Sequence, residues 1–176
     1  TDQLLALSTA QIGALSTAQL AALGTNQVRV LETSDLLALT DTQVQVLGTA
    51  QIGALTTQQL TQPDTAQLAK FAATQIGALT TDQWTSLGTS QVSVLSTSQL
   101  SGLGTQQFSA FATDDVAALS TSQWMSLGTA QIAMLSTAQL GWLSTAQIPA
   151  LTTTQVRGLL SAQVSGLGTA QIAALG

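Results

Sequence analysis

The side chains that could do chemistry in this 176-residue chain are few, and most of them are hydroxyls. A Ser or Thr nucleophile needs a neighbouring base, but the chain has no His and its single lysine is Lys70. It also has no Cys and no Tyr, which removes disulfides, thiolate chemistry and nearly all transition-metal ligation. No glycine cluster precedes a helix and a lysine, as a phosphate-binding loop would require. We therefore expect no catalytic, cofactor-binding or metal-binding site and no enzymatic activity.

A period of eight residues organises the whole chain without insertion or deletion, since twenty-two octads make up the 176 residues. We number the octads 1 to 22 and the positions within each from one to eight; octad 2, TAQIGALS, is residues 9–16. Position one is Thr in nineteen octads, position three is Gln in twenty, position four is apolar in all, and position seven is Leu in nineteen. The exceptions are Asp41, Ala73 and Ser161 at position one, Asp35 and Asp115 at position three, and Phe71, Phe111 and Pro63 at position seven.

Each octad is predicted to form its own short helix. Two apolar positions three residues apart lie on one face of a helix, whereas on a strand they would point to opposite faces. A single continuous helix is disfavoured, because eight residues at about 100° each turn the apolar stripe by roughly 80° per octad. Gly, Ser or Thr at position eight, followed by Thr, places a helix stop next to a helix start. We expect Thr at position one to be the N-cap; in the alternative, position eight is the N-cap, and Ser8 and Gln11 form a capping box.

The positions of the charged residues agree with one helix per octad. Acidic residues lie at positions eight, one, two or three, and basic residues lie at positions five or six. The acids are Asp2, Glu32, Asp35, Asp41, Asp64, Asp82, Asp114 and Asp115, and the bases are Arg29, Lys70 and Arg157. Negative charge near a helix N-terminus and positive charge further along match the helix dipole. Helices this short are not stable alone in water, so packing between octads must stabilise them.

The length of these helices predicts how they pack. Six or seven helical residues span about 10 Å, close to the roughly 8 to 10 Å between packed helices. We therefore predict an all-α solenoid, a single domain over residues 1–176, with about four helices per coil, a square cross-section and positions four and seven in its core. Position six is mostly small, which lets coils approach closely. A weaker forty-residue period leaves five helices per coil as the alternative; it is marked by Leu20, Leu60, Leu100 and Leu140 at position four.

The unit T-A-Q-I-x-x-L-[S/T/G], as in residues 9–16, 49–56 and 129–136, resembles octapeptide arrays in very large bacterial surface or secreted proteins of the haem-utilisation or adhesion type. The resemblance spans the whole chain and implies a squared, right-handed α-solenoid at the bacterial cell surface or in the medium. It also implies that the chain is a fragment of a larger protein. Haem binding does not follow, because only Met125 and Met134 could ligate iron.

Two repeated polar side chains have both a structural and a binding interpretation. Gln at position three could present an amide ladder to carbohydrate or peptide, but we predict that it bonds backbone groups at the corners or in the neighbouring coil. The Thr array could bind ice. Helix capping explains it more simply, because Asp41 and Ser161 replace Thr as caps would.

Aromatic and acidic clusters are the remaining candidates for binding sites. Five of the six aromatic residues occupy position four or seven and are predicted to be core: Phe71, Trp84, Phe108, Phe111 and Trp124. Only Trp142, at position six, is a candidate for exposure. Asp114 and Asp115 could bind calcium, but a calcium loop needs several convergent oxygens and a glycine turn, so we expect a solvated helix start.

Charge and hydropathy limit the possible partners. A net charge of −5 disfavours nucleic acid and anionic lipid, and no apolar run approaches the roughly 18 residues of a membrane span. We expect a monomer whose repeats contact one another, acting as a structural scaffold or spacer. The alternatives are an adhesive face for a cell-surface glycan or protein, and ice binding.

Pro63 is predicted to distort its corner, and Pro149 to perturb its helix slightly.

Overall fold

A computed structural model describes residues 2–62 and 65–175, and every regular element in that range is helical. The chain divides into two compact units, Thr1–Leu87 and Gly88–Gly176, with the division between positions seven and eight of octad 11. Each unit is a solenoid of very short helices, as predicted.

The helices are four to six residues long, and nearly all of them begin at position one of an octad. In the first unit they are Asp2–Leu5, Thr9–Gly13, Thr17–Ala21, Thr25–Arg29, Thr33–Ala38, Asp41–Gln45, Thr49–Ala54, Thr57–Thr61, Thr65–Ala69, Ala73–Ile76 and Thr81–Thr85. In the second they are Thr89–Ser93, Thr97–Ser101, Thr105–Ser109, Thr113–Ala118, Thr121–Ser126, Thr129–Ala133, Thr137–Gly141, the 3-10 helix Ile148–Ala150, Thr153–Arg157, Ser161–Ser165 and Thr169–Ala174.

The N-cap of these helices is position eight, so our preferred assignment of Thr at position one is wrong and the alternative is confirmed. Ser96 has extended backbone angles, its hydroxyl accepts the Gln99 N–H at 3.2 Å, and Gln99 Oε1 accepts the Ser96 N–H at 2.8 Å. This is a capping box. Where position eight is glycine, as at Gly128, one of the two capping-box hydrogen bonds is still made, because Gln131 Oε1 accepts the Gly128 N–H at 2.8 Å. Thr is therefore the first helical residue, where a free backbone N–H is normal.

The corners between helices need no special backbone conformation. Among the described residues no glycine and no other residue has a positive φ, and Gly48 at position eight has φ −70° and ψ 161°. The glycines described at position eight therefore end the preceding helix without a left-handed conformation. Any residue can adopt the extended conformation seen there, which explains why Ser, Thr, Ala and Leu also occur at position eight.

Each coil contains about four helices, as predicted. Gln75 in octad 10 donates from Nε2 to the carbonyls of Val44 and Leu47 in octad 6, across 31 and 28 residues. Five helices per coil would place coil neighbours about forty residues apart, which these spans exclude. The helices in closest contact belong to octads three apart, such as 2 and 5, 4 and 7, 12 and 15, and 13 and 16. One turn of the solenoid therefore takes slightly fewer residues than four octads. As a result, the helices of one coil do not lie directly over those of the preceding coil.

Positions four and seven form the core of each unit, which confirms the inward assignment. Ile52 and Ile132 at position four are fully buried, and Leu95 at position seven is nearly so. The aromatic residues predicted to be core, Phe71, Trp84, Phe108, Phe111 and Trp124, are all buried. Burial of two apolar side chains per octad supplies the collective stability that isolated short helices lack.

The two prolines have different outcomes. Pro149 has no N–H to donate, and octad 19 forms a 3-10 helix where other octads are α-helical. The effect stays local: Ile148 is fully buried and Gln147 keeps its bonds to Ala117 and Leu119. Pro63, predicted to distort its corner, lies outside the described residues.

Candidate functional site

The most regular chemical feature of the molecule is a ladder of glutamine side chains at position three, which are buried from Gln43 onward. Gln131 shows the pattern: Oε1 accepts the Gly128 N–H at 2.8 Å, and Nε2 donates to the carbonyls of Leu100 and Leu103, both at 2.9 Å. One amide thus closes the start of its own helix and satisfies two carbonyls at the end of a helix in the preceding coil. The residue is only 6% exposed. This confirms the structural interpretation of position three.

Both units contain the same ladder. Its members with an Nε2 bond to the preceding coil within one unit are Gln43, Gln51, Gln59, Gln67, Gln75 and Gln83 in the first unit and Gln123, Gln131, Gln139, Gln147, Gln155, Gln163 and Gln171 in the second. Except in Gln67, whose buried Oε1 has no partner among the described residues, both functional atoms of each amide are engaged, so little hydrogen-bonding capacity is left for a ligand.

The two aspartates that replace glutamine keep half of its role. Asp35 Oδ2 accepts the Glu32 N–H at 3.0 Å, and Asp115 Oδ2 accepts the Ala112 N–H at 3.0 Å. A carboxylate has no Nε2 donor, but Asp115 Oδ1 instead accepts the Thr89 hydroxyl at 2.8 Å. The substitution therefore preserves the helix start and changes the bond between coils.

Lys70, the only lysine, also serves the coil interface. Its Nζ donates to the Leu39 carbonyl at 2.9 Å, while Gln67 Nε2 donates to the Leu36 carbonyl at 2.9 Å. In most octads a single glutamine bonds both equivalent carbonyls. The amine is committed to a backbone carbonyl, which is a structural use rather than a catalytic one.

Thr at position one packs against position six of an octad three further along. A Cβ placed on Gly166 would lie 2.8 Å from Thr137 Cβ, and one placed on Gly158 would lie 3.1 Å from Thr129 Cβ. This contact explains the small residues at position six, a relation that sequence analysis missed.

Because Thr is not the cap, the capping argument against an ice-binding Thr array no longer holds. Ice binding stays an untested prediction.

Trp142 is the exposed aromatic residue, as the sequence indicated. Its side chain is 66% exposed, and Met125 and Met134 in the same unit are also exposed. The two methionines considered for haem ligation therefore lie on the surface. Trp124, in contrast, is fully buried, and its indole N–H has no acceptor among the described residues. Hydrophobic burial alone holds that ring.

Asp114 and Asp115, the acidic pair, have different surroundings. Asp114 is exposed at a helix start, whereas Asp115 is buried and bonds Ala112 and Thr89. Across residues 2–62 and 65–175, no three acidic side chains lie close enough together to hold a metal ion. None of the helices described is long and apolar enough to cross a bilayer.

The architecture agrees with the comparison to known families. The ALTTAQ repeat family matches residues 1–33, 28–62, 108–145, 123–153 and 143–176, which together cover well over half of the chain. A search of curated proteins gave no match. The chain therefore belongs to the ALTTAQ repeat family.

Proposed function

We propose that the chain is a structural spacer, a repeat scaffold whose extent is set by its number of octads, within a large bacterial surface or secreted protein. The observation that carries the proposal is the glutamine ladder. Within each unit, octads four apart are joined by the same bonds, so repeats add in equal steps. The likeness to octapeptide arrays of surface proteins supports the cellular location.

The outer surface supports a role without a specific ligand. Positions two and five, which face outward, are mostly Ala, Ser, Thr, Gln and Gly, and the exposed charges are few. Distinct binding surfaces usually concentrate aromatic residues and arginine. An architecture of this kind is typical of scaffolds rather than of enzymes.

The test is to change the number of coils. Removing octads 13 to 16 (residues 97–128) deletes about one coil and leaves every glutamine after the deletion with an octad four places earlier to bond. We expect the largest dimension in small-angle X-ray scattering to fall by about 10 Å, one helix packing distance. A deletion of octad 13 alone is the control and should shorten the molecule by about a quarter of that. Collapse, or no change in dimension, would contradict the spacer proposal.

An adhesive role is the second candidate, and the exposure of Trp142 and Met134 favours it. We expect a glycan array and a pull-down from cell surfaces to show no saturable binding. Saturable binding lost in Trp142→Ser, but retained in Trp84→Phe at a buried position, would replace the spacer proposal with adhesion through this face.

A further inference from the structure

Octad 15 is the one octad of the second unit whose position three is not glutamine. Its residue, Asp115, is buried like the glutamines, with 7% of its surface exposed. The carboxylate accepts the Ala112 N–H at Oδ2, at 3.0 Å, and the Thr89 hydroxyl at Oδ1, at 2.8 Å. Asp115 therefore closes the start of its helix as a glutamine does, but it has no donor to offer a backbone carbonyl.

The next two octads show what octad 15 lacks. Gln123 donates from Nε2 to the carbonyls of Ser93 and Leu95 at 2.9 and 2.7 Å. Gln131 makes the equivalent pair of bonds in octad 17, both at 2.9 Å. In place of two such bonds, octad 15 has the single bond from Thr89, which lies three octads earlier.

The charge of Asp115 adds to this deficit. A buried carboxylate loses its hydration, and the loss is offset only by a cation or by several good donors. The second unit has one basic residue, Arg157 in octad 20, and both donors to Asp115 are neutral. A neutral amide at the same position loses far less hydration free energy.

The helix of octad 15, Thr113–Ala118, also closes less tightly than its neighbours. The hydrogen bond from the Leu119 N–H to the Val116 carbonyl is 3.4 Å long, against 3.1 Å for the equivalent bond from Leu135 to Ile132. Among the described octads it is the longest bond that joins position seven to position four.

We propose that octad 15 is an internal opening point, whose helix separates and unwinds more readily than the helices of octads 16 and 17. Proteins open locally, and the segments with the fewest stabilising contacts open first. One unwound octad extends to about 28 Å, whereas a folded octad adds about a quarter of a roughly 10 Å coil spacing. Under tension the chain therefore lengthens at a defined place. This use rests on the proposed spacer function, but the opening itself does not.

The first experiment is native-state hydrogen exchange of the whole chain, with each rate corrected for its local sequence. It compares the N–H groups of Ala112 and Val116, at the start of the helix of octad 15, with those of Gly128 and Ile132 in the same positions of octad 17. We expect the octad 15 pair to exchange at least about tenfold faster. Equal rates would overturn the proposal.

The second experiment changes the charge and the donor together. Asp115→Gln restores the amide, and we expect it to slow the exchange of Ala112 and Val116 to within about threefold of the octad 17 pair. Asp114→Asn is the matched control: it removes the same charge from the exposed neighbouring residue and should leave both rates unchanged. An Asp115→Gln variant that exchanges as before, or an equal effect of Asp114→Asn, would overturn the proposal.

The third experiment removes the one side-chain bond that Asp115 makes to another helix. Thr89→Val keeps the shape of the side chain but lacks the hydroxyl, so the exchange of Ala112 and Val116 should become faster still, by at least about threefold. Thr105→Val, at position one of octad 14, is the control and should change neither rate. No acceleration in Thr89→Val would contradict the opening point. The octad-deletion test of the spacer is independent, because it measures the length of folded chains.

Discussion

Octads 17 and 22 begin with the same five residues, TAQIA, and yet their side chains have different surroundings. Ile132 in octad 17 is fully buried, whereas Ile172 in octad 22 is nearly half exposed. Gln131 Nε2 bonds two backbone carbonyls four octads earlier, whereas Gln19, from the same TAQ triplet in octad 3, is exposed and its Nε2 has no acceptor among the described residues. An octad therefore specifies its helix but not its burial. In a solenoid, burial comes from the neighbouring coils.

The largest expected difference between interior and end comes from charging the core. Ile132→Asp buries an unpaired carboxylate between coils and should lower the free energy of unfolding by roughly 4 kcal/mol. Ile172→Asp places the same group at a surface and should cost about 1 kcal/mol. Urea denaturation followed by circular dichroism measures both. Equal losses would show that position four is not a core position.

The glutamine ladder should give the next largest difference. Gln131→Ala removes the bonds of the side chain to the Gly128 N–H and to the Leu100 and Leu103 carbonyls, of which the Leu100 carbonyl keeps the Leu103 N–H, at a cost of about 3 kcal/mol. Gln19→Ala removes one exposed bond to the Ser16 N–H and should cost about 0.5 kcal/mol. Thermal melts of the two variants compare them directly. A Gln19→Ala variant as unstable as Gln131→Ala would mean that the local cap, and not the bond between coils, accounts for the stabilisation.

The smallest expected effect is the loss of an N-cap hydroxyl, and it should be the same at the end of the solenoid and in its interior. Ser16 and Ser136 both precede TAQL, and their hydroxyls accept the N–H of Gln19 and Gln139 at 3.3 and 3.2 Å. Because this bond lies within the corner of one octad, alanine at either serine should cost about 1 kcal/mol. The same melts apply, with Ser122→Ala, an exposed residue inside a helix, as the control. A clearly larger cost at Ser136 would show that even the cap depends on neighbouring coils.

The sequence was sufficient for the features that repeat inside one octad. The spacing of Ile132 and Leu135 predicts a helix with one buried face, and the recurrence of an amide at the position of Gln131 predicts a backbone partner. The cap was assigned wrongly because Ser136 and Thr137 are adjacent and both are good N-cap residues. Composition cannot choose between them; the capping-box spacing to Gln139 is the signal that does.

Relations between octads were harder to predict because they depend on how far each corner turns. Helix length predicts about four helices per coil, but not that a coil closes slightly early and brings Thr137 against Gly166. Small residues at position six were attributed to close approach in general; their particular partner is visible only in the folded chain. The handedness of the coil stays a prediction from resemblance.

The uniform bond pattern of the glutamines also bears on how such a gene can change. Misalignment of the repeated DNA during replication can add or remove one octad. Each glutamine downstream of the change still lies four octads after another octad, whose backbone carbonyls can accept its hydrogen bonds. No compensating mutation is needed. Arrays of this kind can therefore lengthen or shorten by single units between strains while each intermediate still folds, and copy number becomes a trait that selection can adjust gradually.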